Sequence, residues 1–316
     1  MRPEIAKRLM SKKILISVVG PTAIGKTKLA IELANHFNAE IISADSRQFF
    51  KEMQIGTAAP NSQELASAPH HFIHHKSIHE NYSVGDFEKE AIALLSHLFA
   101  KNDYVVMVGG SGLYSDVITK GLDKFPNVSP DIRKNLNEIL KKEGIGPLQR
   151  QLKVLDEKSS NSIDLANPHR LIRALEVSIG SGKPYSSFLN KDKEKRPFKT
   201  ITIGLQADRS IIYDRINKRV EIMIDKGMVE EAKKLYPHRI LNALQTVGYK
   251  ELFRYLDGEW DLEFAISEIK KNTRRFAKRQ LTWYRKNQDI IWFDFNMSKA
   301  DVFQKIDKEI ITVQNE

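Results

Sequence analysis

A chain of 316 residues with 41% hydrophobic and 28% charged residues has a globular composition and can form one large or two modest domains. No apolar run approaches the roughly 20 residues that span a bilayer, and the absence of cysteine excludes disulfides, thiolate metal sites and cysteine nucleophiles together. Fifty basic against forty acidic residues give +10, and Lys270–Lys286 holds Lys270, Lys271, Arg274, Arg275, Lys278, Arg279, Arg285 and Lys286 without one acid, which points to a polyanionic partner.

The opening Met1–Lys13 is basic but lacks a small-residue cleavage site, so a secretory leader is not expected and a cytoplasmic protein is. Ile14–Val19 is an apolar run ending in Gly20, followed by Leu29, Leu33 and Phe37 at helical spacing. Ile41-Ile42 forms a short second strand, and Tyr104–Val108 a third, closed by Gly109-Gly110. Continuous apolar strands between amphipathic helices predict a P-loop-type α/β core, a parallel sheet flanked by helices on both faces. From about Leu122 to Ser187 no strand is predicted. This segment opens with Phe125-Pro126 and Ser129-Pro130 and leaves through Gly180–Pro184, so it reads as a helical insertion domain (122–187) within a core of 1–121 and 188–316. Ile201–Leu205 returns to the sheet. The C-terminal third reads as helical except for an edge strand at Ile290–Phe293.

Gly20, Pro21, Thr22, Ala23, Ile24, Gly25, Lys26 and Thr27 match the G-x-x-x-x-G-K-[ST] pattern between a strand and a helix. In such a loop the backbone N–H groups, the lysine and the helix N-terminus cradle a phosphate, and the Thr27 hydroxyl is the expected ligand of a phosphate-bound Mg²⁺. A nucleotide hydrolase places an Asp at the end of a second apolar strand. Here Tyr104–Val108 runs into Gly109-Gly110-Ser111-Gly112, and the nearest carboxylate is Asp45, after the second strand. A diphosphate that leaves whole fits this cradle. A small-molecule kinase with a helical lid, or an NTPase that binds nucleic acid, shares the cradle and stays open. The missing strand-end Asp and the lack of an evident arginine finger count against both.

Gly20–Thr27, Asp45-Ser-Arg-Gln48, Gly56-Thr57, His70-His71, Tyr82-Ser83, Gly109–Tyr114, Arg170–Glu176, Thr246–Tyr249 and Thr273–Trp283 fall in the order seen in the tRNA dimethylallyltransferases, or tRNA isopentenyltransferases. The sequence resembles that family over roughly residues 14 to 294. Ser111 stands for the usual Thr, Phe50 for a frequent Tyr, Ala59 for a common Lys and His74 for a common Asp. The resemblance implies transfer of a dimethylallyl group from dimethylallyl diphosphate to N6 of the adenosine 3′-adjacent to the anticodon, adenosine-37 of tRNA. The adenylate prenyltransferases are a closer alternative that would use free nucleotides, and the basic Lys270–Lys286 segment argues for a macromolecular acceptor instead.

On this reading Asp45 is the general base, since an exocyclic adenine amine needs its proton accepted as it attacks. Lys26, Thr27 with Mg²⁺ and the loop amides stabilise the leaving diphosphate, and the resemblance adds Arg219 from the opposite wall. The adenine must be flipped from its stack. Asp45, Ser46, Arg47, Gln48 and Ser111, with Gln245, Thr246, Val247, Gly248, Tyr249 and Lys250, are the expected readers of the flipped base. Lys278, Arg279, Gln280, Thr282, Trp283 and Arg285 on a basic helix, and Arg133, His169, Arg170 and Arg173 on the insertion, are the expected grip on the anticodon stem-loop. On a helical wheel Phe276, Trp283 and Tyr284 fall opposite the bases, as a core-packing face. His70, His71, His74, His75 and His79 crowd into ten residues, and His70-His71 is assigned to the substrate loop rather than to a metal. The asymmetric tRNA partner predicts a monomer.

Overall fold

The computed structural model describes residues 12–191 and 195–315. They form two compact units: residues up to Lys120 together with those from Arg196 onward, and Gly121–Lys195.

The first unit is built on a six-stranded, wholly parallel sheet in the order β3-β2-β4-β1-β5-β6. Its strands are β1 (Ile14–Val19), β2 (Ile41–Ser43), β3 (His70–His71), β4 (Tyr104–Val108), β5 (Lys199–Gln206) and β6 (Ile291–Asp294). All six residues of β1 are buried, as expected of a central strand covered on both faces. Strand alternation sends Ile14, Ile16 and Val18 to one face, where they pack with Leu29 and Leu33 of α1 (Lys26–Phe37). Val19 faces the other way, against Tyr284 and Ile290. Each such buried aliphatic side chain contributes about 1.5–3 kcal/mol. The sheet continues through α2 (Ser62–Ser67), α3 (Val84–Lys101) and α4 (Gly112–Lys120).

Two details of the sheet differ from the sequence reading. The edge strand β6 begins one residue later than expected, and β3 was not expected at all. It is two residues long, pairs with Ile41-Ile42, and is held in place by the His71 ring nitrogen on the Glu40 carboxylate at 2.6 Å.

Beyond the insertion, α9 (Arg209–Asp225), α10 (Met228–Leu235), α11 (Tyr249–Leu256) and α12 (Leu262–Tyr284) surround a second apolar core of Met53, Val220, Met228, Leu244, Tyr249, Leu252 and Ile269. The last helix, α13 (Lys299–Asn315), returns Val302, Ile306 and Ile310 to the sheet core. Among the described residues no helix is long and apolar enough to cross a membrane.

The second unit consists of α5 (Pro130–Glu143), α6 (Gly146–Leu155), α7 (Glu157–Ser162) and α8 (Pro168–Ser181) around Leu136, Leu148, Leu152, Leu171 and Leu175. It ends at Lys195, past the Ser187 suggested by the sequence. The short 3₁₀ turn Tyr185–Phe188 is drawn back onto it. The Ser186 amide and hydroxyl bond the Asp156 carboxylate at 2.6 and 2.9 Å, and Tyr185 stacks on Phe125 at 5.1 Å.

Candidate active site

Loops after β1, β2 and β4 meet at the carboxyl edge of the sheet, where open α/β sheets bind ligands. They touch: a Cβ built on Gly109 would lie 2.4 Å from the Ala44 carbonyl oxygen. The loop after β1 is the phosphate cradle. Gly20 and Gly25 have φ of 141° and 113°, and Ala23 adopts φ 65° despite its Cβ. Lys26 Nζ donates to the Pro21 carbonyl at 2.7 Å. Burial, together with the charge of Arg219, lowers the Lys26 ammonium to about 7, against the pull of Asp45. Such a lysine regains its charge beside an anion.

After β2, Asp45 Oδ1 accepts from the Arg47 amide at 3.1 Å. Ser46 and Ser111 share two hydrogen bonds, from the Ser46 amide (3.2 Å) and between the hydroxyls (3.1 Å), which join the β2 and β4 loops. Gln48 accepts from Ser43 and donates to the carbonyls of Thr57 and Ala58. Arg47 donates to the carbonyls of Asn242 and Ala243 at 3.1 and 2.9 Å, and burial lowers its pKa. Gln48 and one arm of Arg47 therefore hold the protein's own loops, where the sequence suggested base-reading groups.

Two cavities of about 590 Å³ each adjoin at this point. Thr22, Asp45, Thr57, Gly110, Arg219, Phe276 and Gln280 line both. The first extends along the cradle past Lys26, Thr27 and Lys28 to His70 and His74. The second opens past Ser46, Arg47, Ser111, Gln245, Thr246, Val247, Gly248, Lys250, Arg279 and Trp283. Asp45 and Arg219 thus stand where the cavity lined by the cradle loop meets one edged by polar and basic groups. Arg219 is half-buried, and its desolvation, with the neighbouring Arg215, lowers its pKa.

Helix α12 supplies the basic edge. Lys278, Arg279 and Arg285 are exposed and, among the described residues, make no ion pair; Thr282 is exposed with its hydroxyl on the Lys278 carbonyl. The helical wheel is otherwise corrected. The residues facing the core are Ala265, Ile269, Ala277, Gln280 and Tyr284, whereas Phe276 and Trp283 are each 38% exposed and line cavities. Trp283 donates its indole N–H to Asp116 at 3.1 Å. The segment is also less self-repulsive than its sequence implies, because Lys270 pairs with Glu221 and Lys271 with Glu268.

Two expected RNA-contacting side chains are internal. Tyr249 is fully buried with its hydroxyl on Glu231, because Val247-Gly248-Tyr249 turns it into the second core. Gln280 is 5% exposed: its carbonyl accepts from the Thr22 amide and its amide donates to the Gly110 carbonyl, both at 2.8 Å. On the second unit, His169 and Arg170 are exposed in the first turn of α8, capped by Asn167. Arg133 and Arg173 both bond the buried Glu176, each at 2.5 Å for its shortest bond. They tie α5 to α8.

Two residues escaped the sequence reading. Glu231 accepts from the amides of Gln54, Ile55 and Gly56 and from the Tyr249 hydroxyl. Arg215 donates to the Ala23 carbonyl of the cradle at 2.7 Å. Its spacing four residues before Arg219 was the available signal, since i and i+4 share one helix face. The histidine cluster is dispersed in function. His71 braces β3, His75 is packed edge-on against Phe49, Phe72 and Tyr82 with burial lowering it to about 4, and among the described residues no three His, Asp or Glu converge on a metal position.

The family described as IPP transferase matches residues 48–287. The tRNA dimethylallyltransferase of Christiangramia forsetii is 63% identical over 298 residues, covering 94% of this chain and 99% of that protein. That of Flavobacterium psychrophilum is 56% identical over 302 residues, with 94% and 98% covered. The crystal structure of the Bacillus halodurans tRNA isopentenylpyrophosphate transferase is similar with a TM-score of 0.68 and 37% identity, covering 96% of this chain and 95% of that one. A eukaryotic dimethylallyltransferase acting on tRNA gives a TM-score of 0.82 and 25% identity, covering 95% and 80%. With the phosphate cradle, the Asp45 junction and these relatives together, the chain belongs to the IPP transferase family of tRNA dimethylallyltransferases.

Proposed function

We propose that this enzyme transfers the dimethylallyl group of dimethylallyl diphosphate to N6 of adenosine-37 in the tRNA anticodon loop, releasing diphosphate. The observation that carries the proposal is the position of Asp45, at the meeting of a cavity lined by the Gly20–Thr27 loop and one bordered by basic side chains and aromatic rings. The prenyl donor enters along the cradle and the flipped adenine from the α12 side. As N6 bonds to the allylic carbon and the carbon–oxygen bond breaks, Asp45 takes the N6 proton. Lys26, Arg219 and the cradle amides stabilise the charge gathering on diphosphate.

The residues suit a Mg²⁺ ion. Thr27 lines the cradle cavity at a helix N-terminus, and Mg²⁺ needs only one or two protein oxygens beside substrate phosphates. Thr27 Oγ1 would hold the ion, which would add positive charge to the leaving diphosphate. Ser46, Ser111, Gln245, Thr246 and Lys250 border the adenine side, and Lys278, Arg279, Trp283 and Arg285 extend that border for the stem-loop. His169 and Arg170 are exposed for the same partner on the second unit. A cytoplasmic monomer suits this single asymmetric partner.

Incubation with unmodified tRNA and dimethylallyl diphosphate, without ATP, is expected to yield N6-dimethylallyladenosine by nucleoside mass analysis. A requirement for ATP, or product formed on free AMP but not on tRNA, would refute the proposal.

A further inference from the structure

The cradle is fastened from two helices that lie outside the P-loop pattern. Ala23 stands at the turn of the loop in the left-handed region, a conformation that a residue with a Cβ resists. Its carbonyl accepts from Arg215 Nε at 2.7 Å, a charge-assisted bond. Arg215 is itself oriented by the Phe295 ring, 5.4 Å from its guanidinium carbon. One residue earlier, the Thr22 amide donates to Gln280 Oε1 at 2.8 Å, and the other end of that side chain donates to the Gly110 carbonyl at 2.8 Å. A Cβ on Gly110 would lie 2.4 Å from Gln280 Nε2, so the fit has no slack. The Thr22 N–H is thereby committed to the protein. Among the described residues no acceptor takes the N–H of Ile24, Gly25, Lys26 or Thr27, which leaves those four for a phosphate.

We infer that Arg215 and Gln280 are positioning residues that hold the phosphate loop in its binding conformation, from α9 and α12 respectively. They act through Ala23, Thr22 and Gly110. This rests on the cradle being the diphosphate site. Without either fastening, the loop samples other conformations, and diphosphate must bind to the fraction that is correctly folded. The loss therefore falls on donor affinity, because the loop that surrounds bound diphosphate has the same shape.

The test compares wild type with Lys26→Ala, Arg215→Met, Arg215→Lys and Gln280→Met. It measures calorimetric binding of inorganic diphosphate, steady-state transfer and thermal melting. Arg215→Met and Gln280→Met are each expected to weaken diphosphate binding and raise the donor KM about ten-fold, the effect of one charge-assisted hydrogen bond for Arg215 and of two neutral ones for Gln280, with kcat at saturating donor kept within about three-fold. Arg215→Lys, which can still donate to the Ala23 carbonyl, recovers part of the loss. A general packing defect would not be rescued in this way. Wild-type diphosphate affinity in both methionine variants overturns the inference while leaving the diphosphate site intact, provided Lys26→Ala weakens binding. A fall in kcat at saturating donor with unchanged KM makes Arg215 a direct participant and also overturns it. Diphosphate binding indifferent to Lys26→Ala would refute the site itself.

Discussion

Glu231 is a place where a single truncation removes four hydrogen bonds from the wall of the site. Its Oε2 accepts from the amides of Gln54 and Ile55 at 3.0 and 2.9 Å, and its Oε1 from the Gly56 amide at 2.8 Å and the Tyr249 hydroxyl at 2.6 Å. Tyr249 is 0% exposed, and burial beside that carboxylate pushes its pKa upward, so it remains a donor. Glu231→Ala would strand this hydroxyl, at about 1–3 kcal/mol, while the loop amides recover part of their bonds from water. The expected total is about 3 kcal/mol. Tyr249→Phe removes the donor and leaves the carboxylate with three amides, so about 1 kcal/mol is expected. The double variant has no stranded hydroxyl and should be more stable than additivity implies, by about 1–2 kcal/mol. Urea unfolding of the four proteins at neutral pH measures the cycle. Because Thr57 and Ala58 follow the clamped amides and line both cavities, Glu231→Ala should also raise KM for both substrates. An additive cycle, or a loss under about 1 kcal/mol for Glu231→Ala, would show that no buried hydroxyl is stranded there.

Asp45→Asn keeps an acceptor for the Arg47 amide but cannot take the N6 proton. Single-turnover transfer should fall by about 10²-fold or more, and a wild-type rate would remove Asp45 from the chemistry. The triple variant Lys278→Ala, Arg279→Ala, Arg285→Ala should weaken tRNA binding and flatten its log–log salt dependence by roughly 0.7–0.9 for each phosphate no longer neutralised. An unchanged slope would assign this face to solvent. Burial alone would raise the Glu176 pKa, but the hydrogen bonds and charges of Arg133 and Arg173 bring it below the ordinary value. Its clamp should therefore contribute fully above about pH 4.3, the unfolded-state value, and fade as pH falls through the lower folded-state value. The stability gap between wild type and Glu176→Gln should narrow with acid, and a gap that is flat from pH 7 to 3 would contradict this.

The parts of the fold that were legible in the sequence share one property: a local pattern with a single structural solution. Ile14–Val19 running into Gly20–Thr27 can be little but a buried strand, a tight loop and a helix N-terminus. Asp45 followed from the short strand before it. What stayed hidden depends on partners distant in sequence. Two histidines carry no strand signal, and β3 exists because Ile41-Ile42 offers an edge and Glu40 a partner for His71. Gln280 and Tyr249 sit in family motifs, yet a motif marks a constrained position without saying whether protein or substrate imposes the constraint. Phe276 and Trp283 show that an apolar side chain on an amphipathic helix need not face the core. Small residues, Ala265 and Ala277, allow α12 to lie close to the core, and the large rings remain for the cavities.

The chain leaves the first unit and rejoins it at a single stitched point. Arg196, the first residue on return, donates to the carbonyls of Ile118 and Val117 at 2.9 and 2.6 Å and pairs with Glu88. The second unit pins its own two ends as well, through the Asn190 amide on Asp123 at 3.1 Å and the Phe125–Tyr185 stack. To a folding chain this changes the order in which entropy is lost. Bringing β5 beside β1 across an unstructured Gly121–Lys195 would cost about 2 kcal/mol more than closing a short turn. A second unit that folds first presents its ends already together, and β5 then reaches the sheet as though the intervening residues were a hairpin.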